Sequence, residues 1–545
     1  MKAELNNDHP LTEEELRPLF DNIQGNILRD HGRDYSIQLF LRFVKDPIKV
    51  RKWIQDFSQN VTSAQDQREQ ADTYKHFRKL GKLIEYKRSK EKALVNFFLS
   101  AEGYRKLGFK GSQIPQDLRF FNGMKGSRTI LGDSYRHWES KYDELDAMIL
   151  IAHDNWDGPS DEKNPNLRRL ASDLEKKLGD ITSFCFMEKG EVMYDRSRTG
   201  GDTAVPRPLE HFGYIDGISN PLFLESDFRN PNNVPNGQDT LQTDRYDPFA
   251  PLSLVLTPDP NIDGCYGSYL VFRKLEQDLK AFNDNMKTLC DKLGSRSRDF
   301  AEALICGRFR EGTPLTLSES GYGSPHDPKN PNNNYNNFHY GLNGAPPLDA
   351  DTGMRCPFHA HVRKANPRRY EERRLDPLDR TREKEREHRI VRRGITYGCE
   401  LRERHPKGSP LEEVPTFRDE PEGVGLLFMC FQSDIGKQFE YIQRQLNYTN
   451  AGLGLDPVAG QQSEEEKRRD RVKPQTWSAR WSARWSEKWE SSNGTTMFEY
   501  RFKEVVKLRG GEYFFAPSID FLKRIETLLE DPRRSRKQKA AAVKR

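Results

Sequence analysis

Tyr35-Ser36-Ile37-Gln38-Leu39-Phe40-Leu41-Arg42-Phe43 alternates apolar and polar side chains, and a period of two predicts a half-buried β-strand. The pattern changes on either side of this stretch. Residues 47–59 follow a helical period, and residues 60–92 are almost entirely polar and read as a solvated insertion. Ala93-Leu94-Val95-Asn96-Phe97-Phe98-Leu99-Ser100 predicts a second strand, with Ser100 capping a helix that contains Gly103, Tyr104 and Leu107. Ala147 to His153 predicts a third strand, residues 165–178 a helix, and Ile181 to Lys189 a fourth strand. The order β-α-β-β-α-β is the plan of a ferredoxin-like unit.

The plan recurs in the second half. Ser268 to Leu275 predicts a strand, residues 276–293 an amphipathic helix, Gly425 to Gln432 a strand, residues 434–446 a helix, and Gly511 to Ala516 a closing strand. The fold class is therefore α+β, two ferredoxin-like domains of antiparallel sheet with peripheral helices. The Pro/Asn/Gly stretch Asn230 to Gly237 marks the boundary, dividing residues 1–235 from 236–530. The Asn-rich segment 330–337 and the charge-dense segment 368–388 are too long and polar for core connections. Residues 531–545 form a basic tail, read as solvated, with an anchor for an acidic partner or membrane surface as the other reading.

Composition sets outer bounds. Of 545 residues, 88 are Lys or Arg and 83 are Asp or Glu, giving +5, which is too balanced to argue for nucleic acid. Hydrophobic residues make up 34% and charged residues 31%, which fits a folded core carrying long polar insertions. The 7 Cys are scattered without a CxxC pair, which argues against a disulfide scaffold or zinc ribbon and for a reducing compartment. No apolar run approaches the roughly 20 residues of a membrane span, and the first residues lack the apolar core of a secretory signal. A cytoplasmic protein without a transmembrane segment is expected.

Three short segments join reactive side chains to tight backbone signals. In His211-Phe212-Gly213-Tyr214-Ile215-Asp216-Gly217-Ile218-Ser219-Asn220-Pro221, an Asp lies among apolar residues, where a carboxylate is costly unless partnered. Asp-Gly is also a common turn pair. In Cys356-Pro357-Phe358-His359-Ala360-His361-Val362-Arg363-Lys364-Ala365-Asn366-Pro367-Arg368, Pro357 can open a helix and Asn366-Pro367 can close it. Two residues apart on a helix means about 200° of rotation, so His359 and His361 cannot both face one ligand. One is a candidate metal ligand, or both are structural. In Ile390-Val391-Arg392-Arg393-Gly394-Ile395-Thr396-Tyr397-Gly398, an Arg pair enters a strand-like run. It is either the end of a solvated basic stretch or a cation aimed into a pocket.

Together the three segments resemble the dye-decolorizing peroxidase family. Gly213-Tyr214-Ile215-Asp216-Gly217 is similar to its GxxDG motif, Ala360 to Arg368 to its AHxRKxNPR segment, and Arg392 to Gly398 to its RRGxxYG segment. Gln24 to Ile27, Gly307-Arg308 with Gly312-Thr313-Pro314, Gly425 to Gln432 and Gly510 to Pro517 follow in family order, so the likeness runs from about residue 20 to 525. The long insertions resemble those of the large class with cyanobacterial and fungal members.

The resemblance implies a haem peroxidase with one haem b per chain, lying between the sheet and the helices of the C-terminal half. It implies that hydrogen peroxide is reduced and that dyes, phenols and other bulky aromatic donors are oxidised. His361 would be the axial ligand of the iron, and His359 stands where the family has a small residue. Asp216 would be the distal acid, with Arg392 beside it to favour its charged form and stabilise developing charge. Arg363, Ile218, Leu426 and Phe428 would surround the cofactor. Leu426 and Phe428 are two apart on one strand and so share a face, as ordinary core residues also do. A carboxylate on the far nitrogen of the ligating imidazole would enrich it in electrons, and alignment with the family points to Glu504. The alternative readings are a haem-handling protein that releases iron and a haem carrier with little turnover, neither of which needs the Asp216–Arg392 pair.

Trp477, Trp481, Trp485 and Trp489 recur every four residues and would form one stripe on a helix. Such a stripe packs on a domain surface or serves as a platform for electron transfer to bulky donors. On the second reading, changing all four to Phe would slow oxidation of a bulky dye more than that of a small phenol.

Overall fold

The computed structural model describes residues 5–82, 85–86, 91–157, 165–194, 208–228, 246–294, 297–321, 336, 338, 340, 353, 355–366, 368, 386–399, 423–447, 454–461, 474–478 and 497–529. The expected boundary at 230–237, the tail 531–545, most of the Asn-rich and charge-dense segments, and Trp481, Trp485 and Trp489 lie outside these residues.

The first half contributes strands β1 (Tyr35–Phe43), β2 (Leu94–Leu99), β3 (Ala147–His153) and β4 (Thr182–Glu191). The second half contributes β5 (Tyr266–Gln277), β6 (Val391–Arg392), β7 (Ile395–Tyr397), β8 (Gly425–Gln432) and, after a separate hairpin of β9 (Gln475–Ser478) and β10 (Met497–Tyr500), β11 (Val506–Ala516). The main sheet runs β7-β8-β5-β11-β2-β3-β1-β4, and β6 also pairs with β8. Each half has the same order, second-third-first-fourth, and all these pairs are antiparallel. These are two ferredoxin-like units laid edge to edge.

The outer edges of the sheet come together. Thr396 Oγ1 donates to the carbonyl of Glu191, and a Cβ on Gly190 would stand 2.4 Å from Ile395 Cγ2. The sheet thus wraps round an apolar interior that includes Phe40, Phe98, Phe272, Leu427, Met429 and Phe514. The other face of the first half packs Leu39, Leu41 and Phe97 against helices Pro47–Phe57 and Leu167–Leu178. The expected half-buried strand is thereby corrected: β1 is buried on both faces, including Ser36 and Gln38, because the sheet closes over its alternate side chains.

The polar stretch 60–92 is also more ordered than expected. Ser63 and Asp66 form a capping box that starts the helix Ala64–Lys79. None of that helix is buried, but Gln67 accepts from the Asn26 amide at 2.8 Å and donates to the Asp30 carbonyl at 2.8 Å. A second correction concerns the histidine segment. Its helix spans only His361–Ala365, so His359 precedes it in a turn. Among the described residues, no helix is long and apolar enough to cross a membrane.

Candidate active site

Register on the sheet assembles one side of the site. Arg392 of β6 lies opposite Cys430 of β8, and Phe428 lies opposite Arg273 of β5. Arg392, Leu426, Phe428 and Cys430 therefore share a face. Their neighbours Val391, Leu427 and Met429 point into the apolar interior. Leu426 and Phe428 are only half-buried, unlike Leu427 and Met429.

Asp216 approaches this face from the segment after the isolated bridge between Leu209 and Ile215. Its amide donates to the carbonyl of Pro208 at 2.9 Å, and φ values of +97° at Gly213 and +82° at Gly217 bend the chain on both sides. Arg392 Nη1 donates to Asp216 Oδ1 at 3.0 Å, and its Nη2 donates to the Ile218 carbonyl at 2.6 Å. Both side chains keep about a third of their surface, 32% for Arg392 and 29% for Asp216, so the pair borders open space. The structure thus joins two segments separated by more than half the length of a domain, and Ile218 meets Arg392 through its backbone.

The other side is built on the helix His361–Ala365. His361 Nδ1 lies 3.0 Å from Asp456 Oδ2. Asp456 is buried, and its other oxygen accepts from the Val458 and Ala459 amides, each at 2.8 Å. Burial acts to lower the pKa of His361, but Asp456 outweighs it and the pKa is raised; Arg392 and Asp216 act on the same ring with opposite signs. Burial would lift the Asp456 carboxyl, but its His361 partner leaves it below the usual range. Lys364 ties the two pieces together by donating to the carbonyls of Leu446 and Gly454.

Asp456 replaces Glu504 as the carboxylate on His361. Glu504 precedes β11 and is half-buried in a loop. The sequence does carry a signal for Asp456: Gly454-Leu455-Asp456-Pro457-Val458 is a short apolar run with one acid, between polar stretches. Arg363 is buried, donates to the Cys356 carbonyl at 2.7 Å and lies over the Phe358 ring at 4.3 Å, so it braces the turn leading into the helix. His359 is buried against Trp477, ring centroids 4.3 Å apart, and burial pushes its pKa down to about 3. Trp477 lies on β9, fully buried, with its indole N–H donating to the Tyr500 carbonyl at 3.0 Å. That corrects the helical geometry expected for this residue, which belongs to a paired strand, while its burial agrees with the packed reading rather than the electron-transfer platform.

The donor chemistry suits a haem. With Nδ1 engaged by Asp456, His361 has Nε2 left as a single nitrogen donor, which would suit an iron whose remaining ligands come mainly from a macrocycle. Among the described residues no cluster of three or more His, Cys, Asp or Glu could hold a bare ion.

The site thus joins a carboxylate-backed imidazole and a carboxylate–guanidinium pair to an α+β protein of two ferredoxin-like units. Comparison with known proteins makes the class specific. No family model matches the chain. The multifunctional dye peroxidase DyP2 of Amycolatopsis sp. is 32% identical over 525 residues, covering 93% of this chain and 96% of the relative. A dye-decolorizing peroxidase of Mycetinis scorodonius is 29% identical over 338 residues, covering 58% of this chain and 56% of the relative. Among solved structures, a DyP-type peroxidase of Anabaena sp. superposes with a TM-score of 0.74 at 35% identity, covering 97% of this chain and 99% of the other. This chain belongs to the dye-decolorizing peroxidase family and is a haem peroxidase of that type.

Proposed function

We propose that this chain binds one haem b through His361 and reduces hydrogen peroxide with Asp216 and Arg392, oxidising dyes, phenols and other aromatic donors. The observation that carries the reading is the 3.0 Å contact between Arg392 and Asp216, a pair close enough to the Asp456-backed imidazole for both charges to act on it. Haem, when bound, supplies the redox centre that takes two electrons' worth of oxidising power from peroxide.

The chain's own residues do the rest. His361 anchors the cofactor through Nε2, and Asp456 fixes its ring plane and donor strength. Asp216 accepts a proton from one peroxide oxygen and returns it to the other, a positioned acid–base role. Arg392, held at one end by Asp216 and at the other by the Ile218 carbonyl, fixes a positive charge beside the place where negative charge grows as the O–O bond breaks, and needs no reorganisation to do so. Leu426 and Phe428 wall that space and limit access to small molecules. An iron-releasing or carrier protein has no use for a fixed acid and cation at the open side.

Rapid-mixing spectroscopy of the haem-loaded protein with one equivalent of hydrogen peroxide tests this. Arg392→Leu should slow the reaction about 10²–10³-fold, by analogy with removal of one electrostatic stabiliser, with haem content retained. An unchanged rate in that variant refutes the assignment.

A further inference from the structure

We infer that Asn220 is a positioning residue that sets the guanidinium of Arg392 against Asp216; the inference rests on the role proposed above for Arg392. The segment 216–220 touches Arg392 at three points. Asp216 and Ile218 receive the two ends of the guanidinium at 3.0 and 2.6 Å. Asn220 instead addresses the backbone: its Oδ1 accepts from the Arg392 amide at 3.2 Å, and its Nδ2 faces the Arg392 carbonyl at 3.5 Å.

The geometry explains why a side chain is used here. On β6, Arg393 donates its amide to the Met429 carbonyl of β8 at 2.7 Å, so the amide and carbonyl of Arg392 point to the opposite, outer edge. Among the described residues, no strand of the main sheet pairs there. The carboxamide of Asn220 supplies one donor and one acceptor, the pair that a neighbouring strand would offer. It can do so because Ser219 adopts φ +70°, an uncommon conformation for a residue with a side chain. Ser219 is held in that turn by its hydroxyl, which meets Asn336 and lies 3.3 and 3.4 Å from the guanidiniums of Arg308 and Arg368. Both of those arginines are buried. The backbone of the strand carrying the cation is thereby registered to the loop carrying the acid through the side chain of Asn220. Arg393 Nη1 shares the Arg392 carbonyl at 2.8 Å, so the amide of Arg392 is the group that depends on Asn220.

The test uses the haem-loaded full chain and the variants Asn220→Leu, which removes both polar atoms, and Asn220→Asp, which keeps the acceptor for the Arg392 amide. Two quantities are read: the rate of reaction with hydrogen peroxide, and the affinity of the oxidised protein for fluoride, an anion that senses a distal hydrogen-bond donor without turnover. Asn220→Leu should lower both roughly 10²-fold, the scale of a misplacement of about 1 Å, and Asn220→Asp should lower them far less. Added to Arg392→Leu, Asn220→Leu should cause no further loss, because the two act as one unit. Unchanged rate and fluoride affinity in Asn220→Leu, or a loss that adds in full to that of Arg392→Leu, overturns the inference while leaving the role of Arg392 standing. If Arg392→Leu alone changes neither quantity, the role of Arg392 and this inference both fall. Should Asn220→Leu not fold, Asn220→Asp decides: a loss in it as large as that of Arg392→Leu contradicts the retained acceptor and overturns the inference.

Discussion

Asp456 reaches His361 already oriented, because two backbone amides hold one of its oxygens and leave the other for the imidazole. A substitution that keeps this shape but removes the charge isolates its effect. Asp456→Asn should lower haem affinity or peroxide reactivity by about 10–100-fold, the usual range for a partner of a metal ligand, whereas Glu504→Gln should leave both near the parent value. Titration of the apoprotein with haem measures the first quantity and rapid mixing the second. The histidines separate in the same titration. His361→Ala should abolish stable haem binding or grossly change the spectrum, while His359→Ala, which removes a neutral ring packed on Trp477, should retain an axial histidine spectrum. The reverse result would move the ligand to His359. Asp216, Arg392 and His361 could be proposed from the sequence because each sits in a compact motif that resembles the family's. The pairing of Asp456 with His361 could not, since the two are 95 residues apart and only the folded chain brings them together.

At the scale of elements, the sheet face below Phe428 contains an ion pair in place of an apolar contact. Arg273 of β5 donates Nη1 to Asp133 Oδ2 at 3.0 Å and meets the other oxygen through Nη2, with both side chains at most 1% exposed. Burial pushes the Asp133 carboxyl up even against the pull of Arg273. Removing one partner leaves a buried charge alone, so Asp133→Asn should cost about 3–5 kcal/mol, and the apolar pair Arg273→Met with Asp133→Leu should cost less than that single change. Urea unfolding followed by circular dichroism checks both, and a milder single than double variant would contradict this account. Strand positions were readable from the period of two in β1 and from apolar runs in β2, β3 and β8, but the burial of both faces of β1 was not. A sequence shows the spacing of side chains and does not show that the far edge of the sheet returns to cover them.

Across the whole molecule, the two units share one sheet through a narrow seam. β11 and β2 pair at Phe515 and Leu99, and the gap beside them is filled by Gln24, which is fully buried. Its carboxamide accepts from the Phe97 amide at 2.9 Å and donates to the carbonyls of Phe97 and Pro517 at 2.8 and 3.0 Å. Gln24→Leu strands these groups, and each buried group left without a partner costs about 1–3 kcal/mol. A clear drop in the unfolding midpoint is expected, and an unchanged midpoint would mean that the seam is held elsewhere.

Local order came from the sequence by itself: the first β-α-β-β-α-β plan and three strands of the second unit were read from hydrophobic runs, and Asp216, His361 and Arg392 were singled out by the resemblance of three short motifs to one family. Tertiary structure alone decided the rest. It closed the sheet on itself, chose Asp456 over Glu504, shortened the histidine helix so that His359 packs on Trp477, and placed Trp477 in a buried hairpin strand. The physical reason is the same in each case. Hydrogen-bond partners and burial are properties of distance in space, and residues dozens to hundreds of positions apart acquire a distance only when the chain folds.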